Sequence, residues 1–523
     1  MEWVKYPNDT DASRTEYTYD NMYRLASAQA DVGSQTLSAA YTYADDLLTK
    51  IQTGSTTYSF SYGNFALRSA ITIGDRMLAS YEYTNDGRNS LNKLVYGNGD
   101  MVQYTYDEQG RVTAQAYEDG DTVTYAYDNN GALATVTDSA TSQTATYYYD
   151  FTDRLVRYTD NGENYTLSLA YTYDTDNQVT KIAENINGYS RTTSVSYDDD
   201  NRIVLMQKGY GMEGYTYDAF GRLSSRRTYY DGNTRITESF SYRVPSSGTT
   251  TGQVAAHTIA SPRYNATLSY TYDGNGNILT ISDGNCTTSY TYDTANQLTR
   301  ENNQKAGKTW VWTYDNAGNI LSRREYAYTT GTLGAVLDTV SYGYTDSAWG
   351  DLLTSYDGQT ITADEIGNML SDGTWTYTWE HGRELVSMTD GATTWSYEYN
   401  ADGLRTKRTN GTNTYYYYYA DGQLLTMRRN YSFLRFAYDA SGAPMTVIYG
   451  GETYFYVTNI QGDVIAILDD TGATVVEYTY DAWGNVLTTT GSMASTLGET
   501  NPLRYRGYVY DEEVSNQYLL ILM

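Results

Sequence analysis

The stretch Tyr104–Val112, YTYDEQGRV, returns along the chain as YAYDNNGAL from Tyr125, YTYDAFGRL from Tyr215, YTYDGNGNI from Tyr270 and YTYDAWGNV from Tyr478. In each copy two tyrosines are separated by one residue: Tyr104 and Tyr106, Tyr125 and Tyr127, Tyr215 and Tyr217, Tyr270 and Tyr272, Tyr478 and Tyr480. That spacing puts both rings on one face of a strand, and Tyr and Thr are strand-favouring residues. An aspartate follows (Asp107, Asp128, Asp218, Asp273, Asp481) and, three residues on, a glycine (Gly110, Gly131, Gly221, Gly276, Gly484). Asp at the first position of a type I turn accepts a backbone hydrogen bond and Gly at the fourth supplies a positive φ, so the pattern predicts a hairpin with a bulge at the glycine. Two residues past the glycine an apolar side chain recurs, at Val112, Leu133, Leu223, Ile278, Ile320 and Val486. The returning strand is therefore expected to bury one face.

Successive copies begin at residues 104, 125, 147, 171, 195 and 215, in steps of 21, 22, 24, 24 and 20. Such a period marks a repeat architecture. Removing about four turn residues leaves two strands of about eight residues per unit. At about 22 residues per hairpin, the 523 residues hold at most about 24 units, or about 48 strands. The expected fold is all-β, tandem β-hairpins forming one long sheet. Open sheets rarely exceed about ten strands without curling, so the inherited twist predicts a spiralling sheet, a hollow shell or part of one. In the copies YYYDFTDRL from Tyr147 and VSYDDDNRI from Val195 the glycine is replaced by Asp153 and Asn201, residue types that tolerate left-handed geometry. The gap from Tyr215 to Tyr270 contains RVPSSGTTTGQVAAHTIASPRYN, with Pro245 and Pro262. It reads as a loop-bearing insertion over residues 243–265 of an otherwise continuous ribbon.

Tyrosine supplies 61 of the 523 residues, so the core must be largely phenolic and its hydroxyls need partners. With 35 basic against 63 acidic residues the net charge is −28, which excludes nucleic acid as the main partner and opposes binding to anionic membrane surfaces. No apolar run reaches the length of a membrane span, and the first residues, MEWVKYPNDT, do not read as a secretory signal. The single cysteine, Cys286, permits no intrachain disulfide and reads as a buried or inert thiol. The two histidines, His257 and His381, sit in no nucleophile–base motif and read as structural or solvent-exposed. Acidic runs from Asp174 and Asp198, and DGNGNI from Asp273, lack calcium-loop spacing and read as solvated turns. The sequence thus points to no catalytic residues, no cofactor and no metal.

The repeats resemble the Tyr-Asp (YD) repeats of the bacterial Rhs proteins, the Tc-toxin shell components and the teneurins. YEYNADGLRTKR from Tyr397, NIQGDVIAILDDTG from Asn459, YTYDAWGNVL from Tyr478 and NPLRYRGYVYDEE from Asn501 resemble the Rhs-associated core, whose motif falls here on Asn501, Pro502, Arg504, Tyr505, Arg506 and Gly507. The resemblance divides the chain into a YD ribbon over 1–396 and a core-like region over 397–523. It implies a non-enzymatic shell, secreted or at the cell surface, that encloses and helps deliver a C-terminal toxin or effector as its partner. After GYVYDEE the family pattern would continue through further tyrosine- and arginine-rich elements, whereas this chain reads VSNQYLLILM. A truncated core without cleavage aspartates or effector is therefore expected. The alternative reading is a surface adhesion or carbohydrate-binding repeat protein with glycans as partners, although TYYYYYADG from Thr414 reads as a packed strand before a sugar platform.

Overall fold

The computed structural model describes residues 3–4, 15–32, 35–162, 165–209, 211–244, 250–511 and 517–518. Pro245 and most of the terminal segment VSNQYLLILM, on which the expectation of a truncated core rests, lie outside the described residues. Among the described residues there are 48 strands and three helical segments of three or four residues. None of the helices is long and apolar enough to cross a membrane. The protein is all-β, built of long antiparallel sheets of hairpins.

Two compact units are formed: residues 1–124, 271–280 and 288–397 in one, and 125–270, 281–287 and 398–523 in the other. Residues 1–396 are shared between both units, because compactness follows which hairpins pack together and not chain order. In the first unit the strands from Thr15–Tyr19 to Val112–Tyr117 pair antiparallel, each with its neighbour in sequence. The ladder is interrupted beside Ile361: Gln359–Thr360 pairs backward with Ser355–Tyr356, and Thr362–Ala363 starts a new ladder with Met369–Ser371. In the second unit the same neighbour pairing runs through the strands from Leu133–Asp138 to Val254–Ala260. It recurs from Arg405–Thr409 to Val486–Thr490.

Strands are often shorter than the eight residues expected. Met101–Tyr106 and Val112–Tyr117 have six each, because the connection over residues 118–121 to the next strand uses residues that the sequence estimate assigned to strands. The insertion over 243–265 is smaller than its composition suggests. It contains the strand Val254–Ala260, which pairs with Asn233–Tyr242 on one side and Asn265–Tyr272 on the other. Cys286 is half-buried, not buried; its N–H donates to Asp283 Oδ1 (2.7 Å) within a turn.

Burial follows the side-chain alternation. In Met101–Tyr106 both tyrosines are half-buried while Gln103 and Thr105 are exposed. A drier core lies in the second unit, where Phe455, Val457, Ala466 and Leu468 pack with Ile236 and Ile259, all at most 4% exposed.

Candidate functional site

The repeated motif is a bonded device. In the copy from Tyr104 the Asp107 N–H donates to the Arg111 carbonyl and the Gly110 N–H to the Asp107 carbonyl, both at 3.0 Å. Asp107 Oδ1 accepts from the N–H of Gln109 (3.0 Å) and of Arg111 (2.9 Å), while Oδ2 accepts from Arg111 Nε (2.7 Å). One carboxylate thereby satisfies two turn amides and an (i, i+4) guanidinium. The turn at Asp198 has the same arrangement, and there the Arg202 side chain and backbone amide hold the carboxyl below the usual carboxylate range. Strand register slips by one residue between Thr105 and Tyr106, and likewise before Tyr149, Tyr173, Tyr197 and Tyr217. Gly110 sits at φ 83°, and where the glycine is lost Asp153 and Asn201 take φ 60° and 64°. Gly, Asp and Asn tolerate the left-handed region, yet Tyr23 holds the same position in the turn capped by Asp20, at φ 61°.

The bulge turns the second tyrosine toward the preceding hairpin. Tyr106 Oη donates to the Leu91 carbonyl (2.5 Å), Tyr149 to Leu133 (2.9 Å), Tyr217 to Ile203 (2.7 Å) and Tyr480 to Val464 (2.6 Å). Tyr62, Tyr83, Tyr173, Tyr197, Tyr242, Tyr292, Tyr314 and Tyr438 make the same bond. Several of the acceptors, such as Leu133, Leu223 and Ile278, belong to the recurring apolar position two residues past the turn. The sequence pattern expected a buried face there, whereas Leu133, Leu223 and Ile278 are half-buried; the carbonyl's role as the anchor for the next unit could not be read from residue types. Arginines of the turns add a second tie, with Arg154 over the Tyr173 ring at 4.8 Å and Arg222 over Tyr242 at 4.0 Å.

The first tyrosines differ in depth. Tyr104 and Tyr125 are half-buried, whereas Tyr215, Tyr270 and Tyr478 are 2–6% exposed. The remaining motif residues play the turn role: Asp128 and Asp218 cap their own turns, as do Asp273 and Asp481. Gly131, Gly221, Gly276 and Gly484 all have positive φ. Tyr127 and Tyr272 are half-buried.

The core motif straps onto two of these hairpins. Asn501 is fully buried, its Oδ1 accepting from Tyr456 Oη (2.6 Å) and its Nδ2 donating to the Leu503 carbonyl (2.7 Å). Pro502 lends its carbonyl to the Tyr510 N–H. Arg504 is 3% exposed and donates to the carbonyls of Asn501, Gly498 and Glu499. The Arg504 carbonyl in turn accepts from the Val464 N–H at 2.8 Å. Tyr505 lies so close to Gly484 that a Cβ there would come within 2.5 Å of its ring, and its hydroxyl donates to the Ala482 carbonyl (3.0 Å). Arg506, at φ 51°, donates its N–H to Asp463 Oδ1, and Gly507 follows at φ 73°. Beyond them Asp511 is buried between Arg405 (2.6 Å) and Arg408 (2.5 Å).

Both histidines are engaged. His257 is 2% exposed, stacks on Phe240 at 4.6 Å and places Nε2 2.9 Å from Glu238 Oε1. Burial alone would raise Glu238, but Arg226 and His257 hold it down to about 2. Arg226 also pairs with Asp439, and this network borders a cavity of about 560 Å³. His257 thus faces the Glu238 carboxylate across adjacent strands of one sheet. His381 stacks on Tyr117 (3.8 Å) and sits 3.0 Å from both Glu384 and Asp119. Sequence reasoning missed the partners of both, which come from distant or unpatterned positions. The runs at Asp174 and Asp198 cap turns.

The RHS Repeat family matches residues 106–143, which span the turn of one copy and the whole of the next. The chain is 30% identical over 236 residues, 44% of its length, to the tRNA3(Ser)-specific nuclease WapA of Bacillus spizizenii. It is 54% identical over 67 residues, 13% of its length, to the tRNA(Glu)-specific nuclease WapA of Bacillus subtilis subsp. natto. These matches span 10% and 3% of the respective relatives. Among solved structures, the Photorhabdus luminescens Tc holotoxin pore aligns over 97% of this chain and 31% of its own, at 13% identity and a TM-score of 0.49. The chain thus carries an RHS repeat, whose bonded turn and hairpin recur along the described residues.

Proposed function

We propose that this chain is a non-enzymatic segment of a YD-repeat shell, secreted or at the cell surface, which in a complete polypeptide encloses a C-terminal effector and helps deliver it in intercellular competition or host interaction. The observation that carries the reading is the recurring hydroxyl tie from one hairpin to a carbonyl of the hairpin before it. A wall made this way gains a bond with every unit added and needs no dry core on both faces, as in repeat arrays stabilised by neighbour interactions. The relatives are named as tRNA nucleases, which agrees with a carrier role for the repeats they share with this chain. The network of Arg226, Glu238, Asp439 and His257 ties neighbouring hairpins within the wall.

Electron microscopy of the purified chain tests this directly. A wall one sheet thick bordering an interior void is expected, and a solid globule without a void would refute the shell. A second reading, glycan adhesion, is favoured by aromatic side chains at turn tips: Phe151 and Tyr431 are 94% and 95% exposed. Glycan-array binding that disappears when these rings are removed, with the fold intact, would select it.

A further inference from the structure

In the second unit the strands Gln143–Tyr149, Leu155–Gly162 and Thr414–Ala420 border a cavity of about 200 Å³. Five tyrosines line it: Tyr147, Tyr158, Tyr171, Tyr417 and Tyr419. The rings of Tyr147 and Tyr158 lie 5.2 Å apart at 56°, and those of Tyr417 and Tyr419 lie 6.5 Å apart at 22°. Three carboxylates, Asp160, Asp402 and Asp421, share the lining with Leu155, Leu169 and Leu404, and none of the lining residues is a lysine, arginine or histidine. Arg405, which acts electrostatically on Tyr419, is committed to Asp511 at 2.6 Å.

Asp160 is 6% exposed, and a carboxylate so far removed from water is stabilised best by an opposite charge. The faces of tyrosine rings attract cations through their quadrupole. An anion would meet three like charges, and an apolar guest could touch the leucines and rings but would strip water from the carboxylates without offering them a charge. The space is smaller than the about 300–1,000 Å³ of sites for drug-sized molecules, which limits the guest to one compact head group. The same proximity appears in the phenols, since burial and then Asp402 push Tyr147 up to about 12.

We propose that this cavity binds an organic cation, an alkylammonium group carried either by a free amine or by a lysine side chain of a polypeptide. The site is independent of whether the wall closes into a shell. The test uses the whole chain in dilute buffer, titrated with n-butylammonium chloride, tetramethylammonium chloride and the peptide acetyl-Gly-Lys-Gly-amide. 1-Butanol serves as the neutral isostere of n-butylammonium. Binding is read by saturation-transfer NMR and calorimetry. The variant is Asp402→Asn with Asp421→Asn: both positions are exposed turn residues, and Asn keeps the turn chemistry while removing charge.

Saturable binding of the ammonium probes, weakened about tenfold in the double variant as expected for losing two partly exposed charge contacts, with no binding of the alcohol, supports the site. Preference for the free amines assigns it to small amines; preference for the peptide assigns it to lysine. Equal binding of the alcohol, unchanged ammonium affinity in a double variant with the parent's circular dichroism, or no ammonium binding at all would each overturn it.

Discussion

The hairpins over 91–117 and those over 423–480 share a construction but not a degree of burial. In the first region the strands Leu91–Tyr96 and Val112–Tyr117 are half-buried at every position. In the second, Gln423–Arg429, Pro444–Tyr449 and Val464–Leu468 carry runs of fully buried residues. The sequences differ accordingly: LNKLVY and VTAQAY against QLLTMRR, PMTVIY and VIAIL. Near-continuous apolar strands are covered on both faces, whereas these strands with polar positions are only partly covered along their whole length. The hydroxyl tie occurs in both regions, as Tyr106 to Leu91 and Tyr438 to Leu424. The tie is therefore a property of the repeat, and dryness is a property of the surroundings added to it.

The comparison breaks most severely at Asp511. Asp511→Ala would leave Arg405 and Arg408 buried without their shared carboxylate and should cost about 3–5 kcal/mol, the usual penalty for breaking a buried pair. Calorimetry should show the loss, and a change below 1 kcal/mol would mean that the pair is solvated. The two arginines hold Asp511 below its ordinary range against the effect of burial. Because the folded value is depressed, the pairing stabilises the chain above the unfolded value of about 3.9, and this stabilisation is lost as pH falls through the folded one.

Phe455→Ala opens a void among Ile236, Ile259 and Val457 and should cost about 3–5 kcal/mol by denaturant unfolding. An equal cost for Tyr104→Ala, whose ring is only half-buried, would erase the distinction between the regions. The tie itself sharpens the contrast. Tyr438→Phe strands a buried carbonyl and should cost about 1–3 kcal/mol, while Tyr106→Phe, where water can replace the hydroxyl, should cost about 0.5–1 kcal/mol. Hydrogen exchange of the adjoining strand amides would resolve the two.

The smallest effect is expected at His381. Burial lowers it, but the bonds to Glu384 and Asp119 raise it to about 9. A raised value means that its ion pairs stabilise fully below about 6.5 and are lost as pH rises through about 9. His381→Asn preserves the left-handed turn residue and removes the charge, so the difference in melting temperature between parent and variant should shrink from pH 6 to pH 10. A difference independent of pH would exclude the ion pairs as its source.

Much of the local structure was legible because it is set by neighbours in sequence. Asp107 and Gly110 dictate the turn, the Tyr-x-Tyr spacing dictates the face, and Asp153 and Asn201 keep the left-handed position without glycine. The pairing of each strand with the next follows from those turns. The interruption at Ile361 was not legible, since nothing in the residues around it departs from strand chemistry. Nor were the partners of His257 and Asp511, which lie 19 and more than 100 residues away.

The amino-acid order alone thus determined the repeating hairpin and its turn chemistry, because both are encoded within about 22 residues. The three-dimensional arrangement decided which tyrosines are dry, which carbonyl each hydroxyl finds, and that five rings and three carboxylates converge on one cavity without a basic side chain in its lining. Burial and charge neutralisation depend on groups brought together from distant parts of the chain, and no local pattern specifies which groups those are.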